Sequence, residues 1–235
     1  MPVAEFFNQY FAPEYWPGLD RSRLTTDDQS FFGSPDVFRW IIGAVRPELI
    51  IEVGSWKGHS ANFMADVCRE MGLNTRIICV DTFLGSAEHW AHAHLNPDLH
   101  IRNGRPTILE RFQGNTLARG NQDKVFPLPL DSSSAWGVLH WHQIKADLIF
   151  IDAGHEYRSV AQDIRIYRDL LREGGVLFGD DYNWEETGRA VHDCAVELGE
   201  TVVTAEWKWA YAAPALEPLP PMAQVQPVQY IWPKT

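Results

Sequence analysis

Apolar positions in this chain fall into short continuous runs that end in glycine or an acid, separated by stretches of helical period. The first run, at 49–53, has four apolar residues in five positions and opens the stretch LIIEVGSWKGHS, with Gly54 and Gly58 four apart. This is the pattern of a strand buried on both faces that turns through glycine into a helix. Gly54 permits the turn and leaves no Cβ where a ligand has to come close, while the helix that follows offers unpaired N–H groups at its start. Further runs lie at 76–81 (RIICVD), 125–130, 147–152 (DLIFID) and 175–179. Helical spacing joins them at 61–71, 107–118, 132–141 and 156–171, and an earlier helix opens at Ser34-Pro35, an N-cap followed by proline at the first helical position. Strands alternating with helices predict right-handed crossovers and an α/β fold with a doubly wound, mostly parallel sheet of about seven strands. A helix at 186–198 and a strand at 201–206 follow, and the last strand is placed at 207–212 or, by preference, at 228–232 beyond PALEPLPP.

Two regions interrupt the alternation. Residues 1–33 carry Phe6, Phe7, Tyr10, Phe11, Tyr15 and Trp16, broken by Pro13 and Pro17 without a sustained period. They predict an aromatic arm that packs on the main domain, 34–235, or joins two copies of the chain as a homo-oligomer. The interval after Phe83 is long for a crossover, so 84–106 is predicted as a lid insertion. His89, His92, His94 and His100 in it match no structural zinc spacing and predict a solvated loop. Cys68, Cys79 and Cys194 lie far apart with no C-x-x-C pair, which predicts buried, reduced thiols.

Bulk composition narrows the partners. With 235 residues, 45% of them hydrophobic, the chain has material for one core and reads as a single domain with additions. A formal net charge of -11 without a Lys/Arg cluster argues against a nucleic-acid groove or an anionic membrane surface. No apolar stretch approaches the roughly 20 residues of a membrane span, and MPVAEFFNQYF has neither the basic region nor the apolar run of a signal peptide. The expectation is a cytoplasmic protein acting on a small molecule.

The strand ends carry the chemistry. Asp81 follows the second strand, Asp131 the third, Asp152 the fourth, and Asp180 with Asp181 the fifth, while Glu52 sits within the end of the first. In an open parallel sheet ligands bind outside these ends, so the acids gather on one edge. Asp81, with Thr82 beside it, is placed to accept the ribose hydroxyls of a nucleoside. Asp152, Asp180 and Asp181 form a second set, because three charged carboxylates brought together need a cation, and all-oxygen ligation suits Mg²⁺ or another divalent ion. His155, three residues after Asp152, is either a general base near neutral pH or a helix cap in a solvated loop.

The spacing E-x-G-x-x-x-G-x-S at Glu52, Gly54, Gly58 and Ser60, with the acids above, resembles class I S-adenosylmethionine (SAM) methyltransferases of the metal-dependent O-methyltransferase kind. It is similar to bacterial enzymes that methylate sugar hydroxyls of natural products. The resemblance spans 48–181 and implies Asp152, Asp180 and Asp181 as metal ligands and His155 as base. It also implies that Glu52, Gly54, Ser55 and Ser60 surround the methionine moiety of SAM, with Gly58 and Asp152 also among the cofactor-binding residues. Asp81 and Thr82 would meet the ribose, and Asp131, Ser132 and Ser133 the adenine edge. The acceptor implied is a hydroxyl of a small molecule or glycoside. Competing readings are a nicotinamide oxidoreductase, which lacks its G-x-G-x-x-G here, a metal-independent SAM enzyme, and a non-catalytic SAM-binding module.

Overall fold

A computed structural model of the chain describes residues 2–11, 15–27 and 29–226. Its elements are α1 (Pro2–Tyr10), α2 (Pro35–Val45), β1 (Leu49–Val53), α3 (His59–Glu70), β2 (Arg76–Val80), α4 (Ala87–Ala91), α5 (Ile108–Ala118) and β3 (Val125–Leu128). They continue with α6 (Ser132–Trp141), β4 (Ala146–Ile151), α7 (Tyr157–Arg168), β5 (Leu171–Gly179), α8 (Glu185–Leu198), β6 (Val202–Ala205), β7 (Lys208–Tyr211) and β8 (Ala223–Val225). The eight strands form one sheet in the order β3-β2-β1-β4-β5-β7-β6-β8. Strands β1 to β5 pair in parallel, whereas β7 runs antiparallel to β5 and β6, and β8 antiparallel to β6. Strand order reverses between β1 and β4, which opens a crevice at their carboxyl ends.

Alternation within the strands builds two cores. Leu49, Ile51 and Val53 of β1 face one layer, packed with Phe6, Leu139, Ile164 and Val191 from α1, α6, α7 and α8. Ile50 faces the other layer, with Phe38, Met64 and Phe112 from α2, α3 and α5. Both faces of β1 are thus covered, which is why its sequence is an unbroken apolar run with a single acid. Burying one such Phe or Ile side chain stabilises the fold by roughly 1.5–3 kcal/mol.

Several expectations change. The arm at 1–33 opens with a helix, because Phe6 and Tyr10, and Phe7 and Phe11, are each four apart and share a face. Phe7 meets Phe126 edge-on at 4.8 Å, and the Arg76 guanidinium lies 4.7 Å from its ring centre. Ser34 adopts a left-handed φ of 58° and makes no side-chain cap bond, so Pro35 alone pre-organises the start of α2. Among the described residues the sheet has eight strands where about seven were expected: the 207–212 alternative is realised as β7, β8 was not anticipated, and 228–232 lies outside the described residues. The insertion at 84–106 is ordered around α4, a 3-10 turn at Asn96–Leu99 and a bridge between Arg102 and Arg105. Leu99, fully buried against Gly85, anchors it. All three cysteines are free and buried. Among the described residues no helix is long and apolar enough to cross a membrane.

Candidate active site

The glycine turn is pinned on both sides. Gly54 N–H donates to the Val80 carbonyl at 2.8 Å, and Asp152 N–H to the Val53 carbonyl at 2.8 Å. Gly54 has φ 89°, and a Cβ there would lie 2.0 Å from the Asp152 carbonyl oxygen, so only glycine fits. Gly58 (φ 79°) begins α3 in a left-handed conformation against the Phe112 ring. Glu52 is fully buried and accepts from the Ser55 hydroxyl at 2.5 Å and the Ser60 hydroxyl at 2.6 Å. Burial pushes its pKa up to about 7, against the pull of those two hydroxyls.

Asp81 turns toward the same loop. Its carboxylate accepts from the backbone N–H groups of Ser55 (2.9 Å), Trp56 (2.8 Å) and Phe83 (2.6 Å), while burial raises its pKa despite them. The acid at the end of β2 and the turn after β1 therefore share one small space, the juxtaposition expected of a nucleoside site. Thr82 is exposed and its hydroxyl accepts from Leu84 N–H at 3.2 Å. In the third loop, Asp131 caps α6 by accepting from Ser134 N–H at 3.0 Å, and Ser134 holds its carboxyl below the usual range. The Ser132 carbonyl accepts from the Tyr167 hydroxyl at 2.8 Å, and the Ser133 hydroxyl from Gln162 at 2.6 Å.

Across the crevice, Asp152, His155 and Asp181 each offer a ligand atom, and these atoms lie within 4.8 Å of one another. His155 Nε2 is 3.0 Å from Asp181 Oδ2, and its Nδ1 is 3.7 Å from Glu88 Oε1 of α4. The hydrogen bond that His155 Nε2–H donates to Asp181 is the main reason that the His155 pKa rises to about 9. Burial first, then the charges of Asp180 and Asp181, push the Asp152 carboxyl well above its ordinary value. The Trp184 ring packs against His155 at 4.6 Å. Asp180 faces Lys208 of β7, a side chain only 2% exposed, and its second oxygen accepts from Asp181 N–H at 2.8 Å. Lys208 and Glu88 were not among the sequence-derived candidates. Four acids (Glu88, Asp152, Asp180, Asp181) here face two cations even with His155 protonated. Two carboxylates about 4 Å apart repel by on the order of 4 kcal/mol at an effective dielectric near 20, so this donor set fits a divalent cation.

A second polar network backs the turn from outside. Lys57, next to Trp56, has its side chain fully buried and pairs with Asp27 at 2.7 Å. It also donates to Gln29 at 2.9 Å, and His100 Nε2 lies 2.7 Å from the same Asp27 oxygen. Burial works to raise the Asp27 pKa, but Lys57, Gln29 N–H and His100 outweigh it and hold the carboxyl at about 2. The solvated-loop expectation fails for two of the four histidines: His100 joins this network, and His89 is buried, stacked on Trp56 at 4.3 Å. His92 and His94 are exposed.

A family model described as "Methyltransferase domain" matches residues 51–182. Among curated proteins, none matches the chain. The fold is similar to the O-methyltransferase from Bacillus cereus in complex with SAH (15% identity, 89% of this chain and 96% of that chain, TM-score 0.55). It is also similar to the O-methyltransferase NovP (17% identity, 76% and 78%, TM-score 0.56) and to CalS11, a calicheamicin methyltransferase (16% identity, 76% and 76%, TM-score 0.54). At such identities the likeness is one of fold.

Proposed function

The chain belongs to the methyltransferase-domain family and is a SAM-dependent methyltransferase, and from that premise we propose that it methylates a hydroxyl of a small molecule or glycoside, with a divalent cation and His155 as general base. The observation that carries this reading is the approach of Asp152, His155 and Asp181 to within 4.8 Å, directly across the crevice from the Gly54 turn and Asp81. The names of the fold's neighbours support a hydroxyl acceptor, and one CalS11 structure is called a TDP-rhamnose 3'-O-methyltransferase, which supports a sugar.

In this reading Asp81 accepts the ribose hydroxyls, Glu52 and Ser55 lie toward the methionine end, and Asp131 to Ser133 edge the adenine. Asp152 and Asp181 hold the cation, with Asp180 behind them fixed by Lys208. Such an ion, when bound, supplies positive charge that lowers the acceptor hydroxyl's pKa and competes with His155 for Asp181. Paired with Asp181, His155 holds a proton on Nε2; once Asp181 is drawn to a cation that proton is no longer held, and the bare Nε2 can take the hydroxyl proton while Glu88 flanks Nδ1. Trp184 beside His155 gives the acceptor an apolar wall and screens the reacting oxygen from water. Alignment of that oxygen with the methyl group supplies the larger part of the acceleration, on the order of 7–11 kcal/mol in favourable systems.

The test is SAH formation with a panel of glycosides and catechols, with added Mg²⁺ or with EDTA. Turnover that requires the ion and disappears in Asp152→Asn supports the proposal, and full turnover in EDTA removes the metal and favours the metal-independent alternative. Binding of SAH without turnover on any acceptor favours the binding-module alternative.

A further inference from the structure

Helix α4 bridges the two halves of the site. Its Glu88 lies 3.7 Å from His155, and the next residue, His89, stacks on Trp56 of the glycine turn at 4.3 Å with the rings 28° apart. A donor whose nucleoside meets Asp81 and whose methyl group reaches His155 therefore lies along this helix.

The tautomer of His89 follows from its neighbours. Ser86 N–H, which can only donate, points to His89 Nδ1 at 3.3 Å, and the Ser86 hydroxyl lies 2.7 Å from the same nitrogen. Nδ1 is therefore the acceptor, and the proton of the neutral ring is on Nε2. Burial holds the ring neutral by lowering its pKa. His89 is 9% exposed, and its Nε2 is one of three buried side-chain polar atoms without a hydrogen-bond partner among the described residues, with Trp16 Nε1 and Trp136 Nε1. A buried N–H with no acceptor is costly, and such groups ask for an explanation.

We infer that His89 Nε2–H is a hydrogen-bond donor to the nucleoside of the bound methyl donor, meeting an oxygen of the ribose whose hydroxyl protons go to Asp81. The chemistry is complementary: a ribose hydroxyl gives its proton to the Asp81 carboxylate and presents its lone pairs to an N–H. Asp81 alone binds any vicinal diol from one side, whereas His89 adds a second, neutral anchor from the insertion.

This inference rests on the proposed methyltransferase reading, and one titration separates the two. SAH is titrated calorimetrically into the wild-type chain, His89→Asn and His89→Gln. Asn keeps an acceptor near the Nδ1 position for Ser86 and removes the Nε2 donor; Gln keeps a donor near Nε2. The expected result is about tenfold weaker SAH binding by His89→Asn, recovered at least in part by His89→Gln, with the urea midpoint of the ligand-free His89→Asn chain unchanged. Binding of SAH by His89→Asn within twofold of wild type overturns the inference while the function stands. Loss of the ligand-free fold in His89→Asn marks His89 as structural and also overturns it. Absence of SAH binding by the wild-type chain removes both.

Discussion

Gly54→Ala tests the closeness of β1 and β4 at the point where the site is built. The new Cβ would lie 2.0 Å from the Asp152 carbonyl oxygen and 2.6 Å from Ala153 Cα, and both are backbone atoms that no rotamer change can move. An L-residue at φ 89° costs about 1–2 kcal/mol, and forcing an extra carbon into close-packed backbone costs about 1–3 kcal/mol more. Separating the strands also weakens the bond from Asp152 N–H to the Val53 carbonyl, worth about 1 kcal/mol. The expected loss is about 3–6 kcal/mol, a large part of the roughly 5–15 kcal/mol that holds a domain together. Gly72→Ala is the control: its φ is also positive, at 68°, but nothing lies within 4 Å of its Cβ position, so only the backbone cost of about 1–2 kcal/mol applies. Urea unfolding followed by tryptophan fluorescence should put the Gly54→Ala midpoint well below that of Gly72→Ala, with similar m-values. Equal midpoints would refute the argument, because they would mean that the two strand ends are not in contact.

Glu52 should make the fold pH-dependent. Its folded pKa of about 7 stands above the ordinary 4.5, so its contribution is fully present below pH 4.5 and is lost as the pH rises through 7, a span worth about 3 kcal/mol. Glu52→Gln should flatten the difference between urea midpoints at pH 5 and pH 8, and an unchanged slope would count against the buried acid. Asp27→Asn leaves the Lys57 ammonium buried without its counter-charge and should cost about 3–5 kcal/mol, more than Lys57→Met, which removes the charge itself. A milder Asp27→Asn than Lys57→Met would contradict that reading. Asp152→Asn should cut turnover at least about a hundredfold while SAH affinity changes by no more than a few-fold, measured by product formation and calorimetry.

The fold was legible wherever both faces of an element are buried. The runs at 49–53, 76–81 and 147–152 could only be central strands, and the acids after them followed from the parallel sheet. Helix α1 was not legible because Pro13 and Pro17 break the aromatic run before a helical period is sustained, although the four-residue spacing of Phe6 and Tyr10 is itself a helical signal. The order of the last strands was not readable, since an antiparallel hairpin at a sheet edge carries no crossover to fix its place. Lys208 was missed for that reason: only when β7 pairs with β5 does a lysine in an aromatic strand come to face Asp180. His89 and His100 were hidden in a histidine-rich insertion whose polarity reads as solvent exposure, while the anchor that buries it, Leu99, is a single apolar residue. The chemistry of Asp81 and Asp152 was legible as position but not as partnership, because two of the three backbone N–H groups that Asp81 accepts from belong to Ser55 and Trp56, some 25 positions away.

Calorimetric titration of the wild-type chain with SAH, repeated with NAD, is the most direct test of the site between the Gly54 turn and Asp81. One SAH should bind per chain and NAD should give no heat. Heat with NAD and none with SAH would contradict the assignment of that crevice to a methyl donor.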